Sequence, residues 1–498
     1  MQLKDLIALT GIPLAIVGGT VVLCLMPRLR NFAFFFLLAG AVVSERMDVN
    51  LMSAEWYRGT TRGFEFSLID ICAWAILFST ILTPQRHQKR FYFPASFGFM
   101  LLYLAVAIFS VTISQPKLFG MFEVSKIIRA IMVFWAAALH VQSEKELKYL
   151  VMAIATAVWL QGLLAIKHRV FLHVDRATGT LDHANSLSMY LCMTGPVLVA
   201  AATAAWESKW LKYYCYGAIA LACVGSLLTV SRTGIPAFAL VTLGATAFCM
   251  SWKITFKKLA LTTLIVCGLV GMTALNWQNL KERFGETDLE KEKDTKGFEN
   301  RGQYFGLAKA ILNERPNGVG LNNWSYWVSK RYGELTGVPY EDYDDIPRSM
   351  LDSPVVYDWG AKYAPPAHNL GIITVGEMGW IGLVAFVLLW MRWFWVGASF
   401  FWRRSEAPMR RLGVGIFFAL LGVFLQSLTE WVFRQTPIIM TFHALVGTMA
   451  SLYYLRHREW AYQEALDEEG FEEEMEVSYG RERRRFRHHG GRRVPTGA

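Results

Sequence analysis

The sequence has few charged residues: Asp, Glu, Lys and Arg make up 18% of its 498 positions, whereas soluble globular proteins carry about 25%. This shortage argues against a water-soluble enzyme. The apolar residues, 54% of the chain, gather in runs close to the roughly 20 residues that a helix needs to cross a bilayer. Leu6–Met26, Leu259–Leu275 and Leu412–Leu428 are three such runs. The pattern indicates a protein that crosses a membrane many times.

Two further features are missing from the sequence. Residues 1–26 have neither a basic start nor a small-residue cleavage site, and another apolar segment follows at once, which disfavours a removable secretory signal. The long loops contain no cysteine, because all seven cysteines fall in apolar segments. We interpret them as small buried residues rather than as disulfides or metal ligands.

Continuous apolar runs predict thirteen helices. The candidates are Leu6–Met26, Asn31–Val43, Phe64–Thr83, Tyr92–Ser114, Met121–His140, Tyr149–Ile166, Asn185–Trp206, Tyr213–Val230, Ile235–Met250, Leu259–Leu275, Asn369–Met391, Leu412–Phe433 and Ile438–Leu455. The expected fold class is an all-α polytopic membrane protein with about 12–13 transmembrane helices and one large extracytoplasmic loop. Thirteen crossings place the N-terminus outside the cytoplasm, whereas the loss of one early crossing places it inside.

The net charge of +10 is distributed in a way that predicts topology rather than nucleic-acid binding. Lys and Arg concentrate in alternate, mostly short loops, as the positive-inside rule expects of cytoplasmic loops. These basic residues are Arg28, Arg30, Arg86, Lys89, Arg90, Lys145, Lys148, Lys209, Lys212, Lys253, Lys257, Lys258, Arg392, Arg403, Arg404, Arg410 and Arg411. We therefore expect these loops and the C-terminal tail to lie in the cytoplasm.

Hydropathy and charge divide the chain into five parts. Residues 1–148 are expected to form N-terminal transmembrane helices, 149–276 the core transmembrane helices and 368–456 the C-terminal ones. Residues 277–367 form a large polar loop that this topology places outside the cytoplasm. Residues 457–498 form a tail with an acidic block followed by an arginine block, a composition typical of disorder and able to touch anionic lipid.

Synthetic chemistry on the outer face of a membrane has no supply of nucleotides, so it needs another activated donor, such as a lipid-linked pyrophosphate. An enzyme of this kind needs fixed cations for the leaving pyrophosphate and a base for the acceptor hydroxyl. Arg232, Arg301 and His368 lie near the predicted outer face and supply these residue types. A snorkelling Arg232, a solvated Arg301 and a helix-capping His368 are the alternative interpretations.

Short motifs surround these residues in a fixed order. They are Gly179-Thr180-Leu181-Asp182-His183-Ala184-Asn185, Ser231-Arg232-Thr233-Gly234, Arg301-Gly302 with Gly318-Val319-Gly320, and His368-Asn369 with Glu377-Met378-Gly379 and Gly382. In the order and spacing of these motifs, and in the long loop before the His-Asn pair, the sequence resembles the O-antigen ligase/polymerase superfamily. The resemblance spans roughly Leu150–Leu455.

The resemblance implies an integral membrane glycosyltransferase of the GT-C type. Its members transfer glycans from undecaprenyl pyrophosphate at the periplasmic face of the bacterial inner membrane, with inversion and without a metal ion or other cofactor. The implied partners are the undecaprenyl-pyrophosphate-linked glycan donor, a lipid A–core or glycan acceptor, and membrane lipids, with no nucleic acid.

The resemblance also assigns roles to individual residues. It implies that His368 is the catalytic base and that Arg232 and Arg301 bind the pyrophosphate. The implied supporting residues are Asn369, Glu377, His183 and Asn185. Of these, Glu377 either orients His368 or only packs within its helix, and His183 and Asn185 either position the donor or cap a loop.

Other polar residues have less direct interpretations. Glu123, Lys126 and Arg129 recur every three residues of one helix and form either a buried charge cluster or a phosphate contact. In the large loop, Tyr304–Tyr332 is expected to form a small helical cap over the membrane domain. Asp342-Tyr343-Asp344 resembles the Asp-x-Asp motif of metal-dependent transferases, but it lies in a loop where nucleotide sugars are absent, so we reject it as a metal site.

Ligation of an O-antigen-type glycan to an acceptor is the preferred function. Polymerisation of O-antigen or exopolysaccharide repeat units uses the same chemistry and stays open. The alternative from another class is a membrane transporter or flippase. Transporters often contain paired interrupted helices and internal pseudo-symmetry, and the sequence contains neither pattern.

Overall fold

The computed structural model describes residues 3–44, 48–54, 56–85, 88–249, 301–336, 342, 363–402 and 407–458. The chain separates into two units, Met1–Leu452 and Tyr453–Ala498. In the second unit, residues 453–458 are described and are helical.

Fourteen α-helices occur in the described part of the chain. In chain order they are α1 (Leu3–Leu25), α2 (Leu29–Ala41), α3 (Leu68–Leu82), α4 (Phe97–Thr112), α5 (Lys117–His140), α6 (Glu144–Val170), α7 (Ala184–Thr203), α8 (Lys209–Leu228), α9 (Gly234–Cys249), α10 (Arg301–Glu314), α11 (Trp324–Trp327), α12 (Leu370–Ala398), α13 (Pro408–Ser427) and α14 (Thr436–Arg458). A π-helix (Val328–Tyr332) and a 3-10 helix (Gly333–Thr336) follow α11. One further 3-10 helix follows α12 (Ser399–Trp402), and another follows α13 (Val432–Arg434).

Six of these helices are long and apolar enough to cross a membrane, namely α6, α7, α8, α12, α13 and α14. The described residues also contain five shorter apolar helices, Thr10–Leu25, Leu29–Ala41, Leu68–Leu82, Phe97–Thr112 and Gly234–Cys249. Most residues of these helices are apolar, because a membrane helix contacts only lipid chains and other apolar helices along its length. This is the architecture of a helical, multi-pass membrane protein.

Twelve of the thirteen predicted helices have a counterpart in the structure, and the other, Leu259–Leu275, lies outside the described residues. One boundary matters for the site. The predicted helix Leu412–Phe433 ends at Ser427, so the charged residues that follow lie in a connection. Pro437 is compatible with the first turn of α14 but would break a helix that continued from α13.

A small sheet departs from the expected all-α fold. β1 (Val49–Leu51) pairs antiparallel with β2 (Phe64–Phe66) in the connection between α2 and α3, with Asn50 opposite Glu65. The predicted helix Phe64–Thr83 therefore begins only at Leu68, where Ser67 and Asp70 form a capping box.

The connections between helices gather at two ends of the first unit. The connections from α1 to α2, α3 to α4, α5 to α6 and α7 to α8 meet at one end, which we call the basic end. There Arg30 donates to Thr83 Oγ1, and Lys148 Nζ lies 3.5 Å from Glu207. The connections from α2 to α3, α4 to α5, α6 to α7, α8 to α9 and α13 to α14 meet at the opposite end, which we call the cavity end. Four of the loops predicted to be cytoplasmic, those after α1, α3, α5 and α7, lie at the basic end, whereas residues 253–258 and 403–404 lie outside the described residues.

Two helices that carry predicted site residues at their starts begin at the cavity end. The apolar part of α7 is 94% buried, and α7 packs against α8, α9 and α13. Helix α12 packs against α4, α10 and α13 and bends at Gly379, whose backbone has φ of 66°. Asn185 lies in the first turn of α7 and His368 just before α12, so the fold places both residues at the same end.

Residues 301–336, the longest described stretch of the large loop, are mostly helical. Trp324 of α11 is fully buried, and Gly376 leaves room for its ring against α12. The predicted cap Tyr304–Tyr332 falls within this stretch. Residues 277–300 of the large loop, and Tyr343 and Asp344 of the rejected Asp-x-Asp motif, lie outside the described residues.

Candidate active site

A polar cavity of about 730 Å³ opens among the connections of the cavity end. Its lining comes from segments far apart in sequence: the connection between α2 and α3, α5, the connection from α6 into the start of α7, the residues before α12, and the connection from α13 into the start of α14. The charged and imidazole side chains of the lining are Asp48, Glu65, Asp182, Glu430, Arg58, Arg62, Lys126, Arg176, His183 and His368. A cavity with this many ionisable groups suits a polar, charged ligand.

His368 is held at the start of α12 by its neighbours. Pro365 and Pro366 restrict the backbone that leads to it. Asn369 caps the helix, since its Oδ1 accepts a hydrogen bond of 2.9 Å from the backbone N–H of Ile372. The Asn369 Nδ2 also donates to the Leu428 carbonyl at 2.6 Å. This second bond joins the start of α12 to the connection after α13.

The imidazole of His368 pairs with Glu430. Nδ1 of His368 lies 2.9 Å from Oε2 of Glu430, and the side chains are 37% and 4% exposed, respectively. A carboxylate only accepts hydrogen bonds, so it favours the proton on Nδ1 and leaves Nε2 with a lone pair. The half-exposed imidazole therefore has the arrangement of a general base oriented by a buried carboxylate.

Glu430 has a second partner, Asn185. The Nδ2 of Asn185 donates to Oε1 of Glu430 at 2.8 Å. The Oδ1 of Asn185 accepts from Nη2 of Arg176 at 2.7 Å, and the Nε of Arg176 donates to the Thr229 carbonyl at 3.2 Å. Asn185 thus links His368, through Glu430, to an arginine of the cavity wall.

His183 occupies the N-cap position of α7 and lines the cavity beside Asp182. The loop that carries it turns at Gly179, whose φ of 64° favours glycine. Gln161 anchors the next residue, Thr180, by accepting from its backbone N–H at 3.0 Å and donating to its hydroxyl at 2.6 Å. The first half of the motif therefore anchors the loop, and its second half, residues 182–185, forms one wall of the cavity.

The two predicted pyrophosphate-binding arginines lie at different places in the fold. Arg232 is half-buried in the connection between α8 and α9 and is not among the residues lining the described cavity. Its neighbour Thr233 accepts a hydrogen bond of 3.2 Å from Thr429, the residue before Glu430. Arg301 begins α10, and its side chain lies outside the described residues.

The start of α10 nevertheless approaches the site. Tyr304 is buried on the first turn of this helix, and its ring centroid lies 6.2 Å from that of His368. The backbone of Arg301 is three positions earlier on the same helix, so the helix that Arg301 begins borders the His368 ring.

Glu377 binds elsewhere than at His368. Its Oε2 lies 2.6 Å from Nη1 of Arg434, and its Oε1 accepts from the backbone N–H of Trp324 at 3.4 Å. The carboxylate that contacts His368 is Glu430, so of the two functions considered for Glu377 the structure gives it packing and ion pairing within the bundle.

The glycine motifs Gly318-Val319-Gly320 and Glu377-Met378-Gly379 meet at the kink in α12. The Gly376 and Glu377 carbonyls accept from the backbone N–H groups of Val319 (3.0 Å) and Gly320 (2.8 Å). These carbonyls precede the kink at Gly379, where the regular helical pattern is interrupted. The glycine-rich segment after α10 thereby supplies the hydrogen bonds that the bent helix needs.

Glu123, Lys126 and Arg129 are all buried on α5. Arg129 contacts both carboxylate oxygens of Asp70, at 2.7 and 2.8 Å. Lys126 donates to the Thr60 carbonyl at 3.4 Å, and Glu123 accepts from the Thr60 hydroxyl at 3.0 Å. Each charge is satisfied by another part of the cavity end, which is the buried-cluster interpretation, and Lys126 also reaches the cavity lining.

Two carboxylates that line the cavity, Glu65 and Asp48, differ in their electrostatic environment. Burial alone would raise the pKa of Glu65, but Lys126 at 3.6 Å and Arg129 at 3.5 Å hold it below its usual value. Burial raises the pKa of Asp48 to about 7, with Arg129 opposing the shift and Glu65 adding to it. The cavity thus combines a carboxylate that stays charged with one that titrates near neutral pH.

Sequence reasoning missed Glu430 and the cavity arginines Arg58, Arg62 and Arg176. Glu430 fell inside the predicted helix Leu412–Phe433, where an acidic residue is itself a signal for a functional or buried position. Arg176 precedes the Gly179 motif by three positions and belonged to no motif. Their partners come from other connections, which local sequence does not reveal.

No protein family model matches this chain, and no curated protein is detectably similar to it. Among the described residues, no group of three or more His, Cys, Asp or Glu side chains has a metal-binding arrangement.

Proposed function

We propose that this protein is a membrane glycosyltransferase of the O-antigen ligase type, which moves a glycan from undecaprenyl pyrophosphate to an acceptor hydroxyl. The observation that carries the proposal is the His368–Glu430 pair in a charged cavity at one end of a membrane-crossing helix bundle. The order of the sequence motifs supports the same reaction class.

In this reaction His368 accepts the proton of the acceptor hydroxyl at Nε2. The acceptor oxygen forms a bond to the anomeric carbon while the bond from that carbon to the pyrophosphate oxygen breaks. The electron pair of the broken bond leaves on undecaprenyl pyrophosphate, and attack from the opposite side inverts the anomeric configuration. Glu430 stabilises the imidazolium ion that forms, because its carboxylate already contacts Nδ1.

The leaving pyrophosphate gains negative charge and needs fixed cations. By the sequence resemblance, Arg232 and Arg301 have this role. The cavity supplies further positive charge from Arg58, Arg62 and Arg176. Helices α7, α12 and α14 also begin at this end, and helix N-termini favour anions.

The positive-inside rule gives the proposed orientation in the bacterial inner membrane. If the basic end faces the cytoplasm, the cavity faces the periplasm. A lipid-linked donor suits that side, since its polyprenyl chain stays in the bilayer while its pyrophosphate and glycan reach the membrane surface.

The test uses the full-length protein in lipid vesicles with an undecaprenyl-pyrophosphate-linked glycan and, separately, lipid A–core or a second glycan as acceptor. We expect release of undecaprenyl pyrophosphate and a glycan joined to one acceptor. His368→Asn should lower the rate by about 10²- to 10⁴-fold, the usual contribution of a general base. Arg232→Ala and Arg301→Ala should each lower it by about 10²- to 10³-fold.

The matched control is His173→Asn, the same substitution at an exposed histidine outside the cavity lining, where φ of 51° suits asparagine. It should retain the wild-type rate. Turnover with lipid A–core assigns a ligase, and turnover with the second glycan assigns a polymerase. Glycan flux across the vesicle membrane without any transfer would overturn the proposal in favour of a transporter.

A further inference from the structure

Four side chains form one hydrogen-bonded row at the cavity end. Nη2 of Arg176 lies 2.7 Å from Oδ1 of Asn185, and Nδ2 of Asn185 lies 2.8 Å from Oε1 of Glu430. Oε2 of Glu430 lies 2.9 Å from Nδ1 of His368. The four residues come from the connection before α7, the first turn of α7, and the connections before α12 and after α13, so the row exists only in the folded protein.

The row has a fixed direction because its first member can only donate. A guanidinium has no acceptor atom, so the amide oxygen of Asn185 must face Arg176 and its NH₂ group must face Glu430. The Glu430 carboxylate then accepts on both oxygens, from Asn185 on one and from His368 on the other. The proton of neutral His368 is consequently on Nδ1, and the lone pair is on Nε2.

Arg176 is itself held in place by the end of α8. Its Nε donates to the Thr229 carbonyl at 3.2 Å, and the backbone N–H of the next residue, Ala177, donates to the Leu228 carbonyl at 3.0 Å. These two bonds fix both the backbone and the guanidinium at the position from which Nη2 reaches Asn185.

We infer that Arg176 is a positioning residue, which acts through Asn185 and Glu430 to hold His368 in the tautomer that accepts a proton at Nε2. The catalytic role of Nε2 rests on the proposed function. The tautomer of His368 does not depend on that function. Without Arg176 the Asn185 side chain loses the partner that anchors its amide oxygen, so Asn185 no longer holds the Glu430 carboxylate in place. A carboxylate that can move away from Nδ1 no longer selects one tautomer of His368.

A second possibility is that Arg176, which lines the cavity, binds the anionic donor directly. The two roles differ in kinetics. A positioning residue changes kcat with little effect on the KM for the donor, whereas a binding residue raises that KM. They also differ in coupling, because a residue that acts through Asn185 has no further effect once Asn185 is removed.

The kinetic test compares Arg176→Met with Arg176→Lys, which retains a charged donor. We expect Arg176→Met to lower kcat by about 10- to 100-fold, the range seen when the partner orienting a functional histidine is lost, and Arg176→Lys to restore most of it. In an Asn185→Ala background, Arg176→Met should cause no additional loss. The control is Arg169→Met, the same substitution at an arginine that pairs with the exposed Asp175. A rise in donor KM alone, or losses that multiply in the double variant, would overturn the inference.

A spectroscopic test needs no turnover. In ¹⁵N-histidine-labelled protein in nanodiscs at pH 8.5, well above the ordinary pKa of histidine, His368 is identified by its loss in His368→Asn. The wild-type spectrum should show a protonated Nδ1 and a bare Nε2, and Arg176→Met should show a mixture of tautomers. An identical His368 signal in both proteins contradicts the inference. If the tautomer changes but the wild type transfers no glycan, the proposed function fails and the positioning role of Arg176 stands.

Discussion

Arg434 and Glu377 form a buried ion pair, with 2.6 Å between Nη1 and Oε2 and side-chain exposures of 4% and 1%. The same arginine accepts a hydrogen bond of 3.2 Å on its backbone carbonyl from Lys126 of α5. Glu430 lies four positions before Arg434, so the pair fixes the connection that carries the partner of His368. Glu377 therefore supports the site from a distance by holding this connection against α12.

Removing one member of this pair should destabilise the protein. In Glu377→Ala the Arg434 guanidinium stays buried without its closest counter-charge, a change that typically costs about 3–5 kcal/mol. Thermal unfolding of the detergent-solubilised protein measures the loss. The control is Glu207→Ala, whose 90% exposed carboxylate pairs with Lys148 at 3.5 Å and should contribute only about 0–1 kcal/mol. Equal unfolding temperatures for the two variants would show that the buried pair has no structural role.

Glu430→Gln should lower kcat by about 10²- to 10⁴-fold, by analogy with the loss seen when the carboxylate behind a catalytic histidine becomes an amide. Asn185 presents its NH₂ group to this position, so the new amide turns its oxygen to Asn185 and its NH₂ to His368. Nδ1 then accepts a hydrogen bond, and the proton moves to Nε2. Initial rates with saturating donor check this. A variant that folds like the wild type and turns over at the same rate would refute the role of the carboxylate.

Gly379→Ala should destabilise the kinked helix. Its φ of 66° costs a residue with a side chain about 1–2 kcal/mol, and a Cβ there would overlap the Pro316 carbonyl oxygen. Gly98→Ala is the matched control, because Gly98 is helical and a Cβ meets nothing within 4 Å. That variant should be neutral or more stable by about 0.5–1 kcal/mol. Gly379→Ala should therefore unfold at a lower temperature than both the wild type and Gly98→Ala. An unchanged unfolding temperature for Gly379→Ala would show that the kink does not require glycine at this position.

Asp48→Asn should stabilise the protein more at pH 8 than at pH 5. Burial raises the pKa of Asp48 to about 7 from an unfolded value near its ordinary 3.8. Between these values the folded protein binds more protons than the unfolded chain, so its stability falls as the pH rises. Asparagine cannot ionise and removes this loss. Unfolding temperatures of both proteins across this pH range measure it, and a constant difference at all pH values would show that Asp48 does not titrate in this way.

Much of the fold was predictable because lipid-facing and buried helices both need long apolar runs. Twelve predicted helices have counterparts in the structure. The exceptions are local: Phe64–Phe66 pairs with β1 instead of starting a helix, and α13 ends at Ser427 instead of continuing to Phe433. Phe64–Phe66 find their partner in another strand of the same connection, and Glu430 after α13 finds its partner in His368 before α12. Hydropathy measures neither contact.

The candidate site was predictable only in part. His368, His183 and Asn185 stood out because each lies in a short motif at a predicted helix start, and the structure brings all three to one cavity. Glu430 and Arg176 did not stand out, because their importance comes from the side chains that they contact. Glu377 occurred in a motif, yet its carboxylate lies against Arg434 rather than His368.

The sequence by itself determined that this chain crosses a membrane repeatedly and which of its loops are basic. It also determined that His368 precedes a helix at the end opposite those basic loops. These properties depend on composition and short-range pattern. Only the tertiary structure decided which carboxylate faces His368 and in which direction the hydrogen bonds run from Arg176. Those properties depend on contacts of 2.7–2.9 Å between residues that are far apart along the chain.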